Sequence, residues 1–263
     1  MDFKNKRVWI TGASSGIGEA IAYAFAAQGA SLILSARNES ELLRVKAGCA
    51  AVEIMVVKLD IGDHDAVFNT VKTVMDKVGK VDILINNAGV SQRDLAMNTH
   101  FKVDKQLMDV NYLGTVAMTK AILPSMILHK LGHIVTITSA TGKFGSPLRS
   151  SYAASKHALH GFFDSIRAEL TNDNINITLV CPGFIRTNIS INALTADGRK
   201  QGTMDEATNN GIDPNVLANK ILRAIQRNKQ EIHVGGFKEM LAIQMKRFFP
   251  TVFARILAKA KVN

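Results

Sequence analysis

Seven short runs of near-continuous apolar residues recur along the chain: 7–11 (RVWIT), 31–36 (SLILSA), 53–58 (EIMVVK), 81–86 (VDILIN), 133–138 (HIVTIT), 175–181 (INITLVC) and 231–234 (EIHV). They are rich in β-branched side chains and alternate little with polar ones, the pattern of strands covered on both faces. Between them, apolar residues return at helical spacing over 17–28, 38–47, 63–79, 101–129, 150–172 and 213–228. Repeated strand–helix alternation predicts an α/β fold. The expected architecture is a doubly wound parallel sheet of about seven strands, Rossmann-like, with helices on both faces. Ligands of such sheets bind outside the carboxyl ends of the strands. No linker or internal repeat divides residues 1–235, so they are expected to form one domain.

Two stretches break the rhythm. Residues 184–212, with "TADGRKQGTMDEATNNG", are polar and irregular over a length that usually marks a substrate loop or lid. Residues 236–263 form a basic, amphipathic C-terminal extension, which Pro250 is expected to split into two helices. Its apolar face is expected to pack over the substrate pocket or on another subunit, in preference to peripheral contact with an anionic membrane.

Composition narrows the classes. With 263 residues, 47% of them hydrophobic, the chain can bury one large core. Two cysteines, Cys49 and Cys181, do not make a disulfide framework and are expected to be buried thiols of a cytoplasmic protein. The opening "MDFKNKRVWITG" lacks the apolar core of a secretory signal, and no run of apolar residues is long enough to span a membrane. The net charge of +10 suits a phosphorylated ligand. Seven basic against two acidic residues from Lys229 onward account for half of that excess. Charge alone, without a motif, does not argue for nucleic acid.

The chemistry starts at "TGASSGIG", 11–18, which follows the first strand and opens a helix. Glycines at 12, 16 and 18 permit a tight turn, close backbone approach to a diphosphate and close helix–strand packing, with the helix amides facing the phosphates. A Walker loop is excluded because no Gly-Lys-Ser/Thr closes the stretch. The second strand ends "LSARN", without the acid that would accept hydrogen bonds from a ribose 2′-hydroxyl. Arg37 stands there instead, and a guanidinium suits a 2′-phosphate. NADP(H) is therefore the expected coenzyme, with NAD(H) the alternative.

In "YAASK", 152–156, Tyr152 and Lys156 fall one helical turn apart. A nearby cation favours a phenolate, so the pair is suited to moving a proton while hydride moves at carbon. Ser139, at the end of a strand, is placed to orient a substrate oxygen. It is no hydrolase nucleophile, since "ITSAT" is not G-x-S-x-G. His157 and His160 lack a third ligand pattern, so no metal site is expected.

Together, "TGASSGIG" (11–18), "LDI" (59–61), "NNAG" (86–89), "VN" (110–111), Ser139, "YAASK" (152–156) and "PG" followed by Thr187 resemble the short-chain dehydrogenase/reductase family over residues 6 to about 235. The resemblance implies a dinucleotide-binding catalytic domain over 1–235. Its coenzyme contacts would be Gly12, Ser14, Ser15, Gly16, Ile17, Gly18, Arg37, Asp60, Asn87, Ala88, Gly89, Tyr152, Lys156, Pro182, Gly183, Ile185 and Thr187. Asp60 would bind the adenine amine, Asn86 and Ala88 would line the adenosine, and Ile185 and Thr187 would hold the carboxamide. The catalytic set implied is Asn111, Ser139, Tyr152 and Lys156, with Asn111 holding a water of a proton relay. A homodimer or homotetramer is the implied assembly.

The expected activity is interconversion of a ketone or aldehyde and a secondary alcohol on a mainly apolar, lipid- or steroid-like substrate, with Phe144, Leu148 and Phe184 as its wall. The competing readings are a non-catalytic NADP(H)-sensing protein and an NAD(H)-preferring dehydrogenase. Three departures from the family matter. Ser15 stands where many NADP-using members carry Lys or Arg. The chain continues 27 residues past "HVGG", unlike 3-oxoacyl-carrier-protein reductases. The extension is similar to those of steroid- and lipid-linked members.

Overall fold

The computed structural model describes residues 2–49 and 52–259; the last four residues of the extension, 260–263, lie outside the described part. Seven strands, β1 (Arg7–Thr11), β2 (Ser31–Ala36), β3 (Ile54–Lys58), β4 (Ile83–Asn86), β5 (Gly132–Ile137), β6 (Ile175–Pro182) and β7 (Glu231–Val234), form one sheet of order β3-β2-β1-β4-β5-β6-β7. All six pairings are parallel. The order reverses between β1 and β4, the switch point at which such sheets open a crevice.

Alternation within the strands divides the core. Val8, Ile10, Leu32, Leu34, Ile83 and Val135 face a layer formed by α1 (Gly16–Ala26), α2 (Glu39–Gly48) and a helix over Pro214–Gln226. Trp9, Ile33, Leu84 and Ile134 face the opposite layer, formed by α3 (His64–Val78) and the helices that follow β4 and β5. Burial on both sides explains why these strands read as unbroken apolar runs.

The helix expected over 101–129 is continuous but not uniform. α4 (Phe101–Met108) passes through a π turn, Asp109–Leu113, into α5 (Gly114–His129). One extra residue in the turn rotates Asn111 inward, where it is fully buried. After β5, a 3₁₀ turn (Ala140–Gly142) leads to α6 (Ser150–Glu169). The 184–212 segment is irregular, with a short α7 (Glu206–Asn209), and α8 is the Pro214–Gln226 helix. Pro250 separates α9 (Phe237–Phe248) from α10 (Pro250–Leu257), as its missing amide predicts. The apolar face of this pair, with Ile243 and Phe253, packs on Ala140 and Phe144, and the Phe144 and Phe253 rings meet edge-on at 5.4 Å. Its other face exposes Phe237, Phe248, Phe249 and Ile256. No helix among the described residues is long and apolar enough to cross a membrane.

Candidate active site

The site assembles where β1, β4, β5 and β6 end. Asn87 binds the first turn to the fourth strand: its Nδ2 donates to the Thr11 and Gly12 carbonyls at 3.0 and 3.1 Å. The Thr11 hydroxyl in return accepts from the Asn87 and Ala88 amides at 3.0 and 3.1 Å. Gly18 lies so close that a Cβ there would collide with the Gly12 carbonyl and the Asn87 amide. Gly16, at φ +58°, turns toward the Thr187 side chain. Ser15 caps α1 in an extended conformation and makes no side-chain cap bond, which leaves the first amides of the helix for an outside acceptor. Ser14 offers its carbonyl to Arg44, and Ile17 packs on the core below the turn. Pro182 ends β6, the Gly183 amide donates to Val234, and Ile185 is buried in a bridge with Ile212.

Asn86 corrects one expectation. It is buried, and its amide donates to Thr119 Oγ1 at 3.0 Å, so it braces α5 instead of lining the cleft. Asp60 sits just past β3, holds the Gly62 amide at 3.0 Å and lies 4.0 Å from the Arg37 guanidinium. The helix cap before α3 is Asp63, whose carboxylate accepts from the Ala66 amide at 3.0 Å. Arg37, Lys58, Asp60 and Thr70 line a surface cavity of about 390 Å³. Lys58 was not among the expected contacts; its signal is a cation ending an apolar run at the carboxyl edge of the sheet.

The expected catalytic set converges from three elements. Ser139 Oγ accepts from the Thr141 amide at 3.1 Å and from Thr141 Oγ1 at 2.9 Å, so its own proton is left to donate. Tyr152, near the start of α6, packs against Val103, Leu107 and Leu194. One turn later, Lys156 is buried; its ammonium donates to the Ile137 carbonyl at 2.9 Å and faces the Tyr152 ring 5.9 Å from its centroid. Asn111 spends its amide on scaffolding: Oδ1 accepts from the Val90 amide at 2.8 Å, while Nδ2 donates to the Val90 carbonyl at 2.9 Å and to Ser155 Oγ at 3.0 Å. A Cβ on Gly89 would lie 3.0 Å from Asn111 Oδ1 and 3.6 Å from Lys156 Nζ, so three motifs meet at one point.

Three further residues escaped the sequence reading. Gln92 is fully buried, and its Oε1 accepts from the Ser151 and Tyr152 amides at 3.0 and 3.3 Å, capping α6 where the tyrosine stands. Arg93 and Arg149 gather at Asp205, 2.5 and 3.6 Å away.

The electrostatics add to the expectation. Burial raises the Tyr152 pKa, against which the Ser139 hydrogen bond and the cations Arg149 and Arg93 act. Burial lowers Lys156 to about 8. Besides Lys156, whose ammonium faces the ring, the two arginines also favour the phenolate, and the sequence reading had not named them. Cys181 is buried beside His160, with Glu231 on the far side of the imidazole; burial pushes the thiol up to about 12. Glu231 is paired with Lys143 at 2.6 Å. Cys49 is only half-buried.

The short chain dehydrogenase family model matches residues 6–197. This chain belongs to the short-chain dehydrogenase family. The dehydrogenase is 43% identical to dehydrogenase/reductase SDR family member 7B of Xenopus laevis, over 97% of this chain and 81% of that one. It is likewise 43% identical to a dehydrogenase/reductase SDR family protein 7-like of Drosophila melanogaster, over 98% and 81%. A metagenomic short-chain oxidoreductase solved in complex with NADP shares its fold at a TM-score of 0.75 and 28% identity, over 89% of this chain and 98% of that one. The dehydrogenase is therefore an oxidoreductase of CH–OH groups that works with a nicotinamide coenzyme, as the motifs implied. The uncapped first turn of α1, the glycine approach at 18 and the Asn87 clamp fit a dinucleotide diphosphate.

Proposed function

We propose that this dehydrogenase uses NADP(H) to interconvert a ketone or aldehyde and a secondary alcohol on a mainly apolar substrate, with Tyr152 as general acid and base. The observation that carries the reading is the convergence of Ser139, Tyr152 and Lys156 at the ends of β5 and α6. When bound, the coenzyme supplies or accepts the hydride. The chain supplies the proton. Burial keeps the Tyr152 phenol protonated, ready to donate to a carbonyl oxygen, and the Ser139 hydroxyl, whose proton is directed at Tyr152, would turn to hold that oxygen when substrate is bound. Lys156, one turn below, would bind the nicotinamide ribose. Asn111 fixes the backbone at Val90 and the Ser155 hydroxyl beside Lys156, which supports a proton relay to solvent.

Arg37 and Lys58 beside one cavity favour a 2′-phosphate over a bare ribose. Phe144 and Phe184 supply apolar wall, with Phe144 backed by the extension. Exposed Phe68, Phe101 and Leu128 support homo-oligomer formation through the layer of α3, α4 and α5.

The test is a panel of apolar ketones and aldehydes with each coenzyme, followed by nicotinamide absorbance. Turnover with NADPH in excess of NADH is expected. In Arg37→Asp the ratio of kcat/KM for NADPH over NADH should fall at least about tenfold, since a charge-assisted hydrogen bond contributes about 1.5–3 kcal/mol. An unchanged ratio removes Arg37 from the phosphate site. Coenzyme binding without turnover of any carbonyl leaves the sensing reading in its place.

A further inference from the structure

Building on the reading of this cleft as a carbonyl-reducing centre, we propose that its substrate carries one anionic group, a carboxylate or a phosphate, bound by Arg149. The argument begins with a count of charges. Arg93 donates from Nε and Nη2 to Asp205 Oδ2 at 2.8 and 2.5 Å, and from Nη1 to Ser91 Oγ and the Gln92 carbonyl at 2.7 and 2.6 Å. The other Asp205 oxygen accepts from Gln201 at 2.8 Å. That carboxylate is therefore committed. Arg149 approaches it only to 3.6 Å, beyond hydrogen-bond range. Its side chain is 6% exposed, with the guanidinium carbon 5.4 Å from the centre of the Phe184 ring. Two buried cations thus share one carboxylate, and a positive charge is left over where burial makes it most costly.

A purely structural role does not account for this. Arg93 alone already ties the 184–212 segment to the loop after β4, and an apolar side chain on Phe184 would pack as well without an uncompensated charge. The backbone is shaped around the arginine. Leu148, immediately before it, is held at φ +63°, a conformation bulky residues rarely adopt, and its carbonyl accepts from the Asp94 amide at 3.1 Å. Arg149 is the N-cap residue of α6, and Tyr152 is the third residue of that helix's first turn. Arg93 is fully paired, so the anion is awaited by Arg149 alone, at the cap of the helix turn that carries Tyr152; it therefore belongs to the same molecule as the carbonyl. A planar fork beside an aromatic ring matches a carboxylate or phosphate in paired hydrogen bonds. The remainder of the substrate keeps the apolar character already proposed.

The test compares matched pairs on the full chain with NADPH: pyruvate, acetoacetate and levulinate against their methyl esters, and hydroxyacetone phosphate against hydroxyacetone. The three oxo acids vary the distance from carbonyl to charge, and the phosphate pair separates the two anion chemistries. At least one anionic member should exceed its neutral partner about tenfold in kcat/KM, chiefly through KM, the worth of one charge-assisted hydrogen bond. Arg149→Gln should abolish that ratio, and Arg149→Lys should retain part of it. Anionic and neutral partners turning over alike would overturn the proposal and leave carbonyl reduction standing. If no carbonyl is reduced, the thermal stability of the NADPH-loaded wild type decides. A rise in Tm with an anionic member alone, lost in Arg149→Gln, keeps the anion site while the reductase reading fails. Equal shifts within every pair end the proposal as well.

Discussion

The Lys156 ammonium donates to the Ile137 carbonyl at 2.9 Å while it faces the Tyr152 ring 5.9 Å from the centroid, so the last residue of β5 is pinned to α6 through the lysine. The phenol takes electrostatic help from further groups as well. Burial raises its pKa, and Ser139, Arg149 and Arg93 oppose that rise. The lysine thus fixes the helix against the sheet while it faces the phenol, and the arginines add to the charge that biases the proton.

The raised phenol makes a pH prediction. A phenol kept protonated through neutral pH donates readily, so carbonyl reduction should be level there and fall only at alkaline pH. Alcohol oxidation needs the phenolate and should climb over the same alkaline range. Removing a cation favours the protonated form, so in Arg149→Gln both limbs should move to higher pH, by on the order of one unit for a charge close by. Profiles of kcat/KM against pH in both directions check this; a move to lower pH contradicts it.

Tyr152→Phe keeps the ring against Val103 and Leu107 and removes only the hydroxyl. Turnover should fall by roughly 10²–10⁴-fold, the usual contribution of a positioned acid or base. Coenzyme affinity, followed by nicotinamide fluorescence, should change little. Turnover within tenfold of wild type would take the proton away from this residue.

The sheet was legible because burial on both faces leaves an unmistakable record, seven apolar runs for seven strands. The pairing of Tyr152 and Lys156 was legible because one helical turn fixes their spacing. Asn111 was less so: apolar periodicity over 101–129 reads straight through a π turn, since a single inserted residue barely disturbs it. The Arg93–Asp205 pair joins residues 112 positions apart, and no local pattern carries such a contact. Asn86 and Asn87 are adjacent and chemically identical, so only the fold shows that one faces the core and the other the glycine turn.

Gln92 was invisible for the same reason, yet two amides at the start of α6 depend on its Oε1. Gln92→Leu leaves both amides without that acceptor, which should destabilise the protein by about 1–2 kcal/mol, as loss of a helix cap does. The first turn would also loosen around Tyr152. A drop in kcat with an unaltered KM for coenzyme is expected, partly rescued by Gln92→Glu. Equal stability and kcat in Gln92→Leu would show that the cap does not position the tyrosine.

Acid stability tests a different part of the interior. His133 is fully buried on β5, shares a 2.8 Å bond with Thr178 through Nε2, and leaves Nδ1 without a partner. Burial lowers its pKa to about 4; burial, aided by Lys143, lowers that of His160 to about 4 as well. In the unfolded chain both would titrate near 6.5. Between these values the unfolded state binds more protons than the native one, so stability falls as pH drops from about 6.5 to about 4. At 1.36 kcal/mol per unit, each histidine contributes on the order of 3 kcal/mol to that loss. Glu231 acts in a lower window. Burial alone would raise its pKa, but bonds from His233 and Lys143 hold it at about 2, so its contribution fades only from about 4.5 downward. Urea unfolding of the coenzyme-free protein at stepped pH should show the histidine slope first. His133→Gln removes one titrating group and should flatten the slope between about 6.5 and 4 by nearly half, whatever it does to stability at neutral pH. A slope identical to wild type would mean that His133 takes up its proton without leaving the fold.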